Sequence, residues 1–161
     1  MTTAVQAGQA AFDTFSQTLA TSGLRPALAY LLSLTDYRFI AIFRFENGKA
    51  NAAAYVDREN PQLLGVAEVP EQATYCCFVR DSGGVFMTAD SMQDPRLEQH
   101  PKRHTLRAYC GVPVMDAEGA MMGTLCHYDV VPRDPNQIDL ELMVQVASAL
   151  AYGGHVPAYP R

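Results

Sequence analysis

The chain contains no tryptophan, only two lysines, Lys49 and Lys102, and nowhere a run of about 18 apolar residues able to cross a bilayer. Its N-terminus, MTTAVQAGQAAF, lacks the basic stretch and apolar segment of an export signal. The sequence is therefore expected to be neither exported nor membrane-spanning. With ten scattered arginines and a net charge of -5 it has no basic cluster for a phosphate backbone, so nucleic acid is not an expected partner. Also missing are a Ser-His-Asp order, a glycine-rich phosphate loop, a CxxC pair and an HExxH helix. No catalytic residue and no metal ligand is assigned, and no cofactor is required.

What is present suits one soluble unit. The 161 residues are 48% hydrophobic and 18% charged, without repeats or low-complexity tracts. A single domain over 1–161 is expected, with its core at about 24–152, an N-terminal helix in 1–23 and a tail from 153. Four cysteines, Cys76, Cys77, Cys110 and Cys126, fit reduced thiols better than a disulfide framework and point to the cytoplasm.

Phe12, Phe15 and Leu19 make one apolar stripe on a helix over 4–21, which Gly23 ends. A second helix begins near Pro26 and buries Leu28, Leu31 and Leu32. Tyr37 to Phe45 is rich in aromatic and β-branched residues on both faces, as in a central strand, and Asn47-Gly48 predicts a type I′ hairpin into Ala50 to Val56. From 58 to 106 the chain is punctuated by Pro61, Pro70, Gly83-Gly84, Pro95 and Pro101. A short helix from Glu71 to Arg80, a strand from Val85 to Ala89 and a loop or short helix from Asp94 to His100 are expected there. Arg107 to Met115 and Met121 to Asp129 read as paired strands, and a last helix runs from about Gln137 to Tyr152.

Three ordered runs, Ala89-Asp90-Ser91-Met92-Gln93-Asp94-Pro95-Arg96-Leu97, Tyr109-Cys110-Gly111-Val112-Pro113-Val114 and Gly123-Thr124-Leu125-Cys126-His127-Tyr128-Asp129, resemble those of GAF domains in bacterial sensor proteins. Tyr75-Cys76 and Ala41 to Phe45 fit as well, so the resemblance covers roughly 24–152. It implies an α/β domain of the α+β kind: a central antiparallel sheet of five to six strands, terminal helices on one face, and an irregular lid over a ligand pocket on the other. It also implies homodimerisation through the terminal helices and an unidentified small-molecule ligand. As the sequence ends at Arg161, a separate output protein is expected to receive the signal.

The candidate ligand-binding residues are Phe43, Tyr55, Tyr75, Cys76, Phe78, Phe86, Asp90, Tyr109, Cys110 and Cys126. The aromatic rings supply flat apolar area for a small planar or amphipathic molecule. Asp90 accepts hydrogen bonds either from a ligand amine or, as a cap, from the backbone of its own loop. Of the vicinal pair Cys76-Cys77, Cys76 is expected to face inward. A three-residue loop at Ala117-Glu118-Gly119 pairs Asp116 with Ala120 and sets Cys110 opposite Cys126 on one face, whereas a two-residue loop puts the two thiols on opposite faces. They form a thiol pair in the first case and are small buried hydrophobes in the bland reading. Small residues at Ala52, Ala53, Ala54 and Gly111 leave open space in the pocket. His100 and His104, four apart around Pro101, read as a solvated loop. His127 follows a cysteine as in phytochrome-like relatives, but on a strand, which disfavours covalent chromophore attachment.

Two other functions are weighed. The free methionine-R-sulfoxide reductases resemble this chain in size, but an acidic LDxDS-like run is replaced by Leu125-Cys126-His127-Tyr128-Asp129, which removes the partners for a substrate amine. A ligand-free dimerisation scaffold would show no cavity beneath the 58–106 segment.

Overall fold

The structure, a computed structural model, describes residues 3–160. Helix α1 (Ala4–Ser22) opens with a capping box between Thr3 and Gln6, and α2 (Leu24–Ser33) follows directly after Gly23, whose φ of 101° only glycine takes without strain. Strands β1 (Phe39–Glu46) and β2 (Lys49–Asp57) meet at Asn47 and Gly48, both with positive φ, as the expected hairpin turn requires. Next come a two-residue strand β3 (Val69–Pro70), a short helix α3 (Cys76–Ser82) and β4 (Phe86–Thr88). Finally β5 (Ala108–Met115), β6 (Met121–Asp129) and α4 (Leu140–Tyr152) complete the chain's regular elements. The six strands form one antiparallel sheet in the order β3-β2-β1-β6-β5-β4.

Alternation along the central strands divides the core in two. Ile40, Ile42, Val56, Cys110, Val112 and Leu125 point to one face, where Phe15, Leu28, Leu31, Leu142, Val146 and Leu150 of the three long helices cover them. Phe39, Ala41, Phe43, Tyr55, Tyr109, Cys126 and Tyr128 point to the other, beneath α3 and the irregular middle of the chain. Among the described residues no helix is long and apolar enough to cross a membrane.

Three expected elements are corrected. The helix expected over 71–80 breaks at Thr74, which is extended (φ -125°, ψ 162°), and leaves a 3-10 turn at Glu71–Ala73 before α3. The last helix starts at Leu140, because Ile138 is extended and the Asp139 side chain caps the Leu142 N–H; Pro135–Gln137 is a separate 3-10 turn. His100 is not a solvated loop residue. Its Nε2 lies 3.1 Å from the Thr74 carbonyl oxygen and its ring packs edge-on against Tyr75, while His104 is exposed.

Arginines tie the loops to the helices. Arg25 of α2 donates to the carbonyls of Tyr55, Pro61 and Leu63, and Arg58 donates to those of Leu32, Thr35 and Tyr37. Arg58 thus adds a charged donor to the Leu32 carbonyl at the end of α2 and serves the Thr35 and Tyr37 carbonyls of the segment that leads into β1. Arg58→Ala is expected to lower stability by about 1 kcal/mol, read as a shift in the urea midpoint. An unchanged midpoint would mean that water serves those carbonyls equally well.

Candidate functional site

The lid side of the sheet holds a cavity of about 330 Å³. Register decides what forms its floor. Tyr109 of β5 stands opposite Tyr128 of β6, and Phe43 of β1 stands opposite Thr124, so one face of three adjacent strands presents Phe43, Tyr109, Thr124, Cys126 and Tyr128 together. Phe43, Tyr109 and Tyr128 line the cavity directly, and the Tyr128 ring is stacked on Phe39 at 4.7 Å. Tyr109 folds back along its own strand over Gly111: a Cβ at position 111 would lie 2.7 Å from the ring's Cε1 and Cζ. Gly111 therefore does not leave the pocket open, as its size suggests. It makes room for the tyrosine.

The walls come from the irregular middle. Val66, Ala67 and Val69 form one side, Ala73 to Cys76 a second, and Lys102, Thr105 and Leu106 the rim. The Tyr75 hydroxyl donates to the Leu106 carbonyl at 2.7 Å, tying two walls together. Leu63, Leu64 and Val66 remain exposed along the lid. No carboxylate lines the cavity among the described residues, and Lys102 makes no ion pair there. The interior is apolar and ringed by aromatics, with a single cation at its edge.

Of the ten candidate residues, Phe43, Tyr75, Cys76 and Tyr109 line this cavity. Cys126 belongs to the same core but lies beneath it, fully buried. Tyr55 packs beside Phe39, away from the opening. Phe78 and Phe86 stack on each other at 4.6 Å next to Tyr75, with the Arg96 guanidinium over Phe86, and support α3 instead of facing a ligand. Asp90 takes both Nε and Nη2 of Arg107 at 3.0 and 3.1 Å and caps the Met92 N–H, so it anchors its loop.

Cys110 is the clear correction. The loop is the three-residue one, with the Asp116 N–H donating to the Ala120 carbonyl, but Met122 is bulged, and beyond it Val114 pairs with Gly123. The bulge shifts the register by one, placing Cys110 opposite His127 on the helix side and Gly111 opposite Cys126 on the cavity side. The two thiols thus lie on opposite faces. Patterning also gave no notice of Val66 to Val69, which belong to no regular element until β3, or of Lys102. Tyr128 could have been found, since it is two residues beyond Cys126 and shares its face.

Sulfur chemistry collects at the start of α3. Cys76 Sγ lies 3.1 Å from Thr124 Oγ1 and accepts from the Tyr109 hydroxyl at 3.3 Å, and Cys126 shares the face of β6 that Thr124 presents, two residues along the strand. Burial alone would raise the Cys76 thiol; hydrogen bonds from Cys126, Thr124 and Tyr109 bring it below the usual thiol range. Burial pushes the other thiols up, Cys77 to about 11 and Cys110 to about 12, and it raises Cys126 well above the ordinary thiol range, with Cys76 itself adding to the rise there.

Comparison with known proteins agrees with this architecture. The family model for the GAF domain matches residues 21–152. A cyclic di-GMP phosphodiesterase of Pseudomonas aeruginosa is 35% identical over 75 residues, 45% of this chain but 13% of that protein, so the chain spans only a small part of that relative. The GAF domain of an Acinetobacter phosphoenolpyruvate-protein phosphotransferase superposes with a TM-score of 0.72 at 15% identity, over 91% of both chains. A free methionine-R-sulfoxide reductase from Neisseria meningitidis, solved with its substrate, gives 0.69 at 14% identity over 94% of this chain and 92% of that one. The chromophore-binding domain of a Stigmatella aurantiaca bacteriophytochrome gives 0.69 at 11% identity over 92% and 61%. At such identities these structures share the fold alone.

Proposed function

Because the chain belongs to the GAF domain family, we propose that it is a sensory module that binds a small, mostly apolar molecule with an anionic tip in the cavity between the sheet and its lid. The observation that carries this reading is the combination of a ring-lined floor of Phe43, Tyr75, Tyr109 and Tyr128 with one unpaired cation, Lys102, at the rim. Flat apolar walls favour a planar body, and the lysine favours a carboxylate or similar group over an amine. The absence of any carboxylate from the lining argues in the same direction.

The match to a cyclic di-GMP phosphodiesterase, which covers 13% of that protein, supports a place for this module in signalling. The activity of that protein is not carried over to it. In our reading the module is cytoplasmic and acts as a homodimer through the outer surfaces of α1 and α4, where Val5, Val144 and Tyr152 are exposed, and it passes its signal to a separate partner.

Thermal shift and calorimetry with aromatic carboxylates, beginning with 2-naphthoate, test the site. Binding is expected to weaken about tenfold in Lys102→Glu and to vanish in Thr105→Trp, which places a large ring at the rim. Naphthoate that binds both variants as well as the parent would place it elsewhere.

A further inference from the structure

We propose that Cys76 and Cys126 form an oxidisable dithiol, in which a hydroperoxide entering the cavity oxidises Cys76 and Cys126 then closes a buried disulfide with it. This deepens the reading given above, since it rests on the same cavity admitting small molecules.

The argument begins with placement. Cys76 is the one thiol that lines the cavity, at its inner wall on the first turn of α3, which lies over β5 and β6. Cys126 stands two residues along β6 from Thr124 and therefore on the same face, and Thr124 itself touches Cys76. Tyr109, from the neighbouring strand, directs its hydroxyl at the Cys76 sulfur from the floor. The arrangement divides two roles. Cys76 is surrounded by donors that favour a thiolate, the form that attacks peroxides, while Cys126 has none that outweigh its burial and keeps its proton.

The chemistry closes. The Cys76 thiolate attacks the terminal oxygen of ROOH; an S–O bond forms, the O–O bond breaks, and the alkoxide leaves as ROH with the proton originally on Cys76. The Cys126 sulfur then attacks Cys76 sulfenic acid; an S–S bond forms, the S–O bond breaks, and hydroxide leaves as water with the proton of Cys126. Each sulfur loses one electron, and the hydroperoxide is reduced by two. An apolar cavity favours organic hydroperoxides over hydrogen peroxide as the oxidant.

The other two thiols serve as internal controls. Cys77 is only half-buried and so more accessible, yet burial and the Asp81 carboxylate hold it protonated, and Cys110 lies on the far face of the sheet among the helices.

The test treats the reduced chain with equimolar tert-butyl hydroperoxide, alkylates the remaining thiols after denaturation, and maps the peptides. The expected product joins Cys76 to Cys126 and exceeds any product containing Cys77 or Cys110 at least about tenfold. In Cys126→Ser, Cys76 sulfenic acid should accumulate and be trapped by dimedone, and Cys76→Ser should abolish both products. Preferential oxidation of Cys77, or a sulfenic acid in the parent that never closes onto Cys126, overturns the proposal. Far-ultraviolet circular dichroism confirms that each serine variant is folded, and quantifying dimedone adducts in the parent covers the case in which one is not. Naphthoate binding is read in parallel: binding without Cys76 oxidation rejects the dithiol and leaves the ligand site standing, oxidation without naphthoate binding supports the dithiol alone, and failure of both rejects both.

Discussion

Gly123→Ala is expected to destabilise the protein by about 3 kcal/mol or more, among the largest effects of any single substitution here. Gly123 pairs with Arg44 of β1 and with Val114 of β5, next to the Met122 bulge. A Cβ there would overlap the Phe43 carbonyl oxygen and lie 3.0 Å from its carbon. Both neighbours are backbone atoms of a central strand, so no rotamer change relieves the clash, and β1 and β6 must separate where their ladder is continuous. Phe43, on the cavity floor, would move with them. Gly65→Ala is the matched control, since a methyl there meets only the Ala52 carbonyl oxygen at 3.8 Å, an ordinary contact, and should change stability by no more than about 0.5 kcal/mol. Denaturant midpoints of the two variants measure the contrast. A Gly123→Ala protein within about 1 kcal/mol of the parent would show that β6 can shift without loss of pairing.

Acid should destabilise the fold by about 3 kcal/mol through His127 alone. Its ring is buried on the helix side of β6, edge-on to Tyr37, with Nε2 lacking a hydrogen-bond partner among the described residues. Burial lowers its pKa from 6.5 to about 4. The unfolded chain therefore takes up this proton first, and stability rises with pH wherever it does so. The contribution is complete above pH 6.5, falls between pH 6.5 and about 4, and levels off below. Asp57, held near 2 by Arg38, acts in the lower window between its ordinary 3.8 and about 2, so the two do not overlap. His100, lowered by burial in the same direction, adds to the upper window, which is why the comparison must be with a variant. His127→Gln should flatten most of the slope of unfolding free energy between pH 6.5 and 4. An unaltered slope would assign the acid sensitivity to other groups.

The sequence revealed those parts of the fold that short-range chemistry specifies. Asn47-Gly48 fixes the first hairpin, Gly23 separates the first two helices, and the alternation of Phe39 to Phe43 follows from β geometry. It was mute where one residue's conformation depends on distant packing. The loop at Ala117-Glu118-Gly119 was readable, but the bulge at Met122 was not, because nothing in Met121-Met122-Gly123 marks which residue loops out. That one residue moved Cys110 to the opposite face. The cavity divides in the same way. Its floor was largely legible from strand alternation, while Val66 to Val69 and Lys102 come from segments whose course is set by contacts such as Arg25 to Leu63 and His100 to Thr74.

The tyrosine lying over Gly111 has a consequence for how such sequences can diverge. The space vacated by a side chain at 111 is occupied by the ring that directs a hydroxyl at Cys76, thirty-five positions earlier. A lineage that restores a methyl group at 111 displaces the ring and strips the sulfur of a donor, whereas one that has abandoned the thiol loses nothing by doing so. Positions 76, 109 and 111 should accordingly drift as one unit across descendants of this chain.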